Sequence, residues 1–147
     1  MKNTFVILFV SLLFVACQQK INPADVAKIN GYWEIEKVVF EQGKDKDYGI
    51  NQSYDYFQID KKNKGIRKKV IPQLDGTFLV NDAYENVTVR FADGKAFLDY
   101  STPFMKWAEE LKAISNTELV LLNADKKEYH YKKSGPINLL DDGKTTK

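Results

Sequence analysis

Glu85-Asn86-Val87-Thr88-Val89-Arg90-Phe91-Ala92-Asp93-Gly94-Lys95-Ala96-Phe97 is a β-hairpin written out in residues. Val87, Val89 and Phe91 fall on one face and Asn86, Thr88 and Arg90 on the other, the period-two alternation of a strand with one dry side and one wet side. Asp93-Gly94 then interrupts the run between Phe91 and Phe97, and this pair readily supplies the positive φ angles that a tight hairpin turn needs. Outward from this hairpin the same grammar recurs. Segments rich in Val, Ile, Phe, Tyr and Thr lie at 32–42, 53–60, 66–71, 77–80, 84–92, 96–101, 118–123 and 128–133. Turn signals separate them at 43–52, 61–65, 72–76, 81–82, 93–95 and 125–127. Short strands at regular spacing with Gly and Asp turns indicate an all-β chain, an antiparallel meander, barrel or sandwich.

Two segments depart from this pattern. Asn22-Pro23-Ala24-Asp25 is a helix start, with Asn22 as N-cap and Pro23 at the first helical position, and Gly31 can end it in a left-handed cap. Thr102-Pro103 repeats the start ahead of Phe104, Trp107, Ala108 and Leu111, which fall at helical spacing with Lys106, Glu109, Glu110 and Lys112 opposite. The spacing predicts a helix of about three turns over 104–113, before the last hairpin.

The N-terminus carries a different message. Lys2 precedes an apolar run from Phe5 to Ala16, the charged start and apolar core of a secretory signal. A dozen apolar residues fall short of the roughly 20 that cross a bilayer as a helix. Phe14-Val15-Ala16-Cys17 resembles the processing box of a bacterial lipoprotein, and Cys17 is the single cysteine of the chain. A lone cysteine in a secreted protein has no intramolecular partner, and lipid attachment would give it one. The reading is a signal peptide at 1–16, a tether and short helix at 17–28, a barrel domain at 29–133 and a loose tail at 134–147. It puts the protein in the cell envelope, held to the membrane by lipid at Cys17; Gln18 after the cysteine resembles an outer-membrane signal.

After cleavage about 130 residues remain, one small domain. The whole chain has a net charge of +2, 29% charged and 13% aromatic residues. Its basic residues are lysines apart from Arg67 and Arg90, whereas bidentate phosphate and base recognition favours arginine. Nucleic acid is therefore not an expected partner, and a monomer is expected.

Gly31-Tyr32-Trp33 stands just after the short helix and opens the first strand. Helix, then G-x-W, then strand resembles the opening of the lipocalin superfamily. Residues 118–123 and 128–133 look like the last hairpin of the small lipocalin-like domains of bacterial lipoproteins, so that the resemblance spans about 29–133. It implies a small antiparallel barrel whose end is closed by Trp33. It also implies a basic residue packed across that ring, usually arginine; the matching positions here are Lys132 and Lys133.

Candidate chemistry is sparse. His130 is the single histidine, and it alternates with Tyr129 and Tyr131, so it faces outward if they face inward. Ser101 and Ser115 lack the context of a nucleophile, and a triad needs a histidine within hydrogen-bond reach of the nucleophile together with an orienting carboxylate. No catalytic residue and no cofactor is expected. Asp45-x-Asp47 hints at a calcium loop, but Gly49, Ile50 and Tyr56 occupy positions that should hold a ligand, the turn glycine and the terminal Glu; no metal is expected. The basic run Lys61 to Lys69 fits either contact with anionic lipid head groups or a hairpin tip kept soluble by lysines. The aromatic residues offer the strongest candidate. Tyr54, Tyr56, Phe78, Phe91, Tyr100, Tyr129 and Tyr131 lie on different strand candidates, and Tyr56, Phe91, Tyr100 and Tyr131 are expected to face one interior. With Trp33, the residues 54, 56, 78, 91, 100 and 131 form the candidate site for a small apolar ligand. The same residues suit a filled barrel that acts as an interaction module.

Overall fold

A computed structural model describes residues 19–135. The leader, Cys17 and the tail from 136 onward lie outside the described residues. A 3-10 helix (Pro23–Ile29) is followed by β1 (Gly31–Phe40), β2 (Lys46–Asp47), β3 (Tyr54–Ile59), β4 (Lys64–Pro72) and β5 (Phe78–Val80). Then come β6 (Glu85–Ala92), β7 (Lys95–Ser101), β8 (Lys106–Ile114), β9 (Glu118–Leu122) and β10 (Lys127–Ser134). Eight of these, β1, β3, β4, β6, β7, β8, β9 and β10, run as an antiparallel meander. Pairing of β10 with β1, from Tyr32 opposite Ser134 to Phe40 opposite Lys127, closes the sheet on itself. A bulge between Ile35 and Lys37 adds local twist to β1 along this closing ladder.

The outer strands β2 and β5 are short additions to the ring. The segment 77–80, expected among the main strands, becomes β5 and pairs only the end of β4. The eighth strand of the ring comes from the stretch read as a helix. Residues 106–114 form β8, which corrects the expectation of a helix over 104–113. Trp107, Glu109 and Leu111 pair with Tyr100, Leu98 and Ala96, and all three point inward. A charged residue at the middle inward position hid the alternation, and the i, i+3, i+4 spacing of Phe104, Trp107, Ala108 and Leu111 took its place. Phe104 is in fact 95% exposed, in the turn before β8.

The barrel has two unlike ends. Hairpins β3–β4, β6–β7 and β8–β9 turn at the same end as the 3-10 helix, which packs Val26 and Ile29 against Trp33, Ile59, Leu111, Ile114 and Leu119. The helix is short but well terminated. Asn22 N–H donates to Asp25 Oδ2 at 2.9 Å, and Gly31 at φ +119° turns the chain from helix into strand. Asn30 then ties this end to β3, its side chain accepting from Ile59 N–H (2.6 Å) and donating to Ile59 C=O (3.0 Å). Gly65 sits opposite, where an added Cβ would lie 1.8 Å from the Gln58 carbonyl oxygen, so only glycine fits the approach of β4 to β3. The other end stays open, rimmed by the segments 41–53, 73–84, 102–105 and 123–126.

Candidate functional site

Charge enters the barrel on the open side of its core. In β3, β4, β6 and β8 the inward positions beyond the apolar layer are Asp55, Arg67, Glu85 and Glu109, set facing by the registers Phe57 to Arg67 and Arg67 to Glu85. Arg67 Nε donates to Glu85 Oε2. The same guanidinium lies 4.0 Å from Asp55 Oδ1 and 3.7 Å from Glu109 Oε2. It also lies over the Tyr100 ring at 4.4 Å from the centroid, with Trp107 further out at 6.0 Å. Lys69 Nζ reaches Asp55 from the rim at 2.8 Å. One arginine thus serves three buried or half-buried carboxylates.

The electrostatics follow from that count. Burial works against the Arg67 charge, but Tyr100, Glu85 and Asp55 outweigh it and hold the guanidinium firmly protonated. Burial pushes the Glu109 carboxyl above the usual carboxylate range, against the pull of Arg67. The Tyr100 and Tyr131 phenols are pushed well up by the same burial and stay neutral. None of these four ionic side chains stood out in the sequence reading. The available signal was parity, since Asp55 shares its face with Phe57 and Ile59, and Glu109 with Trp107 and Leu111.

The aromatic candidates divide. Tyr100 and Tyr131 are buried inside the barrel, 1% and 6% exposed, as expected, and Tyr129 packs against the core at its edge. Tyr56 does not join them. Asp55 and Phe57 take the inward positions of β3, so Tyr54 and Tyr56 point outward. There Tyr56 packs on Tyr32 at 4.8 Å, Tyr32 stacks on Phe78 at 4.2 Å, and Tyr54 lies 6.4 Å from Phe78. Phe91 continues the inward face of β6 past the end of the core and is 38% exposed beside the β6–β7 turn. The single interior expected of Tyr56, Phe91, Tyr100 and Tyr131 is therefore shared by two of the four. His130 faces outward as its neighbours required, with Nε2 2.7 Å from Glu128 Oε1. The basic run also splits. Lys61 and Lys62 occupy a turn at the closed end, while Arg67 is buried inside.

The open rim collects exposed apolar side chains. Ile50, Leu74, Leu79, Val80, Tyr84, Phe104 and Met105 all lie on its segments and all are more than half exposed. Between them, where β4 leaves β6 to pair with β5, a groove of about 250 Å³ runs over Lys68, Tyr84 and Thr102 and reaches Arg67 and Glu85 from the side. It shares Ala83, Tyr84 and Thr102 with a second hollow of about 440 Å³ that extends to Pro103 and Phe104.

The closed end is sealed. Trp33 is fully buried, and its Nε1–H donates to Ile29 C=O at 2.6 Å. Lys133 crosses the ring with Nζ 4.6 Å from the centroid and donates to the carbonyls of Lys28 (2.8 Å) and Asn30 (2.5 Å). Lysine thus makes the latch in which the resemblance usually places arginine. Helix, G-x-W, eight-stranded meander and basic latch are all present. The fold is a lipocalin-like barrel. Trp33 is a plug in this barrel rather than part of its open half.

Among solved structures the chain is similar to a lipocalin-like protein from Bacteroides uniformis ATCC 8492 (TM-score 0.46, 12% identity, 73% of this chain and 99% of that one). It is also similar to an uncharacterized protein from Bacteroides eggerthii DSM 20697 (TM-score 0.45, 11% identity, 71% of this chain and 98% of that one). No family model and no curated protein matches the chain.

Proposed function

We propose that this lipocalin-like barrel is a lipid-anchored protein of the cell envelope, at the outer membrane, that binds a small and mostly apolar ligand without catalysing a reaction. The observation that supports it is the rim. Large apolar side chains gather there around a groove that reaches the one buried arginine, and such a hollow with few polar groups is the usual form of a small-molecule site. The core beneath is filled by Trp33, Phe57, Leu98, Tyr100, Leu119 and Leu121, all below 2% exposed, so the ligand sits at the mouth rather than deep inside. The filled core also favours a second reading, in which the same apolar rim meets a partner protein.

Uptake of a fluorescent fatty acid and of an uncharged apolar dye tests the first reading. Phe104→Ala removes the most exposed rim aromatic and is expected to weaken uptake at least about ten-fold, from the area a bound ligand would cover. It should leave the urea midpoint unchanged. Absence of uptake by the wild-type protein would leave the partner reading. Metabolic labelling with a palmitate analogue checks the anchor, and Cys17→Ser should abolish the label.

A further inference from the structure

We infer that the closed end of the barrel is a seat for anionic lipid head groups and that it rests on the bilayer surface to which the chain is anchored. The inference builds on the lipid anchor proposed above, but the surface itself is visible without it. Lys61 and Lys62 occupy the exposed β3–β4 turn, with Lys64 following at the start of β4. Lys20 lies across the same end, where it shares a hollow with Lys95 and Lys112. Lys95 and Lys112 are neutralised by Glu110 at 3.0 and 3.5 Å. Lys20, Lys61, Lys62 and Lys64 have no ion-pair partner among the described residues.

The carboxylates at this end are few and mostly occupied. Asp60 folds the turn by accepting from the backbone N–H of Lys62 (2.8 Å) and Lys64 (3.0 Å), and Asp25 holds Lys28 at 2.7 Å. Asp93 in the β6–β7 turn and Glu118 at the start of β9 are the remaining acids, the latter 3.9 Å from His130 Nδ1. Phe91 is the large apolar side chain that this end exposes, flanked by the same turns. An aromatic ring among unpaired lysines is suited to an interface where head groups meet acyl chains.

Chain geometry selects the partner. Gln19 is fixed to the closed end by two hydrogen bonds to Ile114, donating to its C=O at 2.9 Å and accepting from its N–H at 3.0 Å. Cys17 is two residues away, a span of at most about 7 Å. That is shorter than one Debye length at physiological salt, about 8 Å, so a lipid on Cys17 brings the end of the barrel that Gln19 joins up to the membrane surface. Each lysine so placed strengthens contact about five-fold. At the opposite end Lys44, Lys46, Lys106, Lys126 and Lys127 are outnumbered by Glu41, Asp45, Asp47, Asp75, Asp82 and Asp125, so it has no such excess of lysine.

The test uses mature lipidated protein reconstituted on phosphatidylcholine vesicles with and without about 30% phosphatidylglycerol, read by flotation and amide hydrogen exchange. Flotation on both vesicle types is expected from the anchor. On phosphatidylglycerol, exchange at 60–64 and 93–95 should slow about ten-fold while the rim at 102–105 stays unchanged. Lys61→Glu with Lys62→Glu, both fully on the surface, should remove this protection without loss of flotation. Equal exchange on the two vesicle types, or protection at the rim, would overturn the seat. Failure to float on phosphatidylcholine would overturn the anchor instead, and protection on phosphatidylglycerol alone would still support the seat.

Discussion

Trp33→Ala is expected to lower the unfolding free energy by about 3–5 kcal/mol, the range for removing a large aromatic from a packed core. Three losses combine in that one change. The indole is fully buried among the 3-10 helix, β1 and the surrounding strands, so its removal leaves a void that the helix can fill only by shifting. Its Nε1–H no longer satisfies Ile29 C=O. Lys133, whose pKa burial already draws down, loses the ring face over which its ammonium sits. The urea midpoint checks this directly. A midpoint within experimental error of wild type would show that the closed end is not what holds the barrel together.

Arg67→Ala is expected to cost a similar amount, about 3–5 kcal/mol, for an opposite reason. The cost comes from the partners left behind rather than from lost burial. Without the guanidinium, Asp55, Glu85 and Glu109 face one another with Lys69 at the rim as their remaining cation. Arg90→Ala is the internal control. Arg90 makes a pair with Asp99 at 2.6 Å, but both groups are more than one-third exposed and screened by solvent, so the urea midpoint should barely move.

The Arg67 effect carries a pH signature. Glu109 has a raised pKa in the folded state, so its contribution to stability is fully present below the ordinary value of 4.5 and is lost as pH rises through the raised one. Removing Arg67 raises that folded value further. The gap between wild type and variant should therefore narrow on acidification from pH 7 to pH 5. A gap that widens would mean that another group controls the network.

What could be read from the sequence divides along one physical line. Alternation of apolar and polar residues is legible where the inward positions are apolar, as in Val87, Val89 and Phe91, and the hairpin at Asp93-Gly94 follows from it. The G-x-W opening gave the closed end, and a lysine at position 133 proved sufficient for the latch. Alternation becomes illegible where a barrel places charge inside. Glu109 made a strand look like a helix, and Asp55 reversed the faces assigned to Tyr54 and Tyr56. Arg67 vanished into a run of lysines. The residues missed at the candidate site are thus the same ones that broke the pattern, because a charge that is neutralised across strands looks solvent-facing when each strand is read alone.

The pairing of β4 with β6 stops at Arg67 opposite Glu85, and beyond that point β4 turns to β5. Arg67 is accordingly the last stitch of a seam only four residue pairs long, and its side chain ties both sides together from within. Without that stitch the seam is free to unzip from the mouth downward. The lock on that zip is a guanidinium whose partners include a carboxyl already inclined to take up a proton.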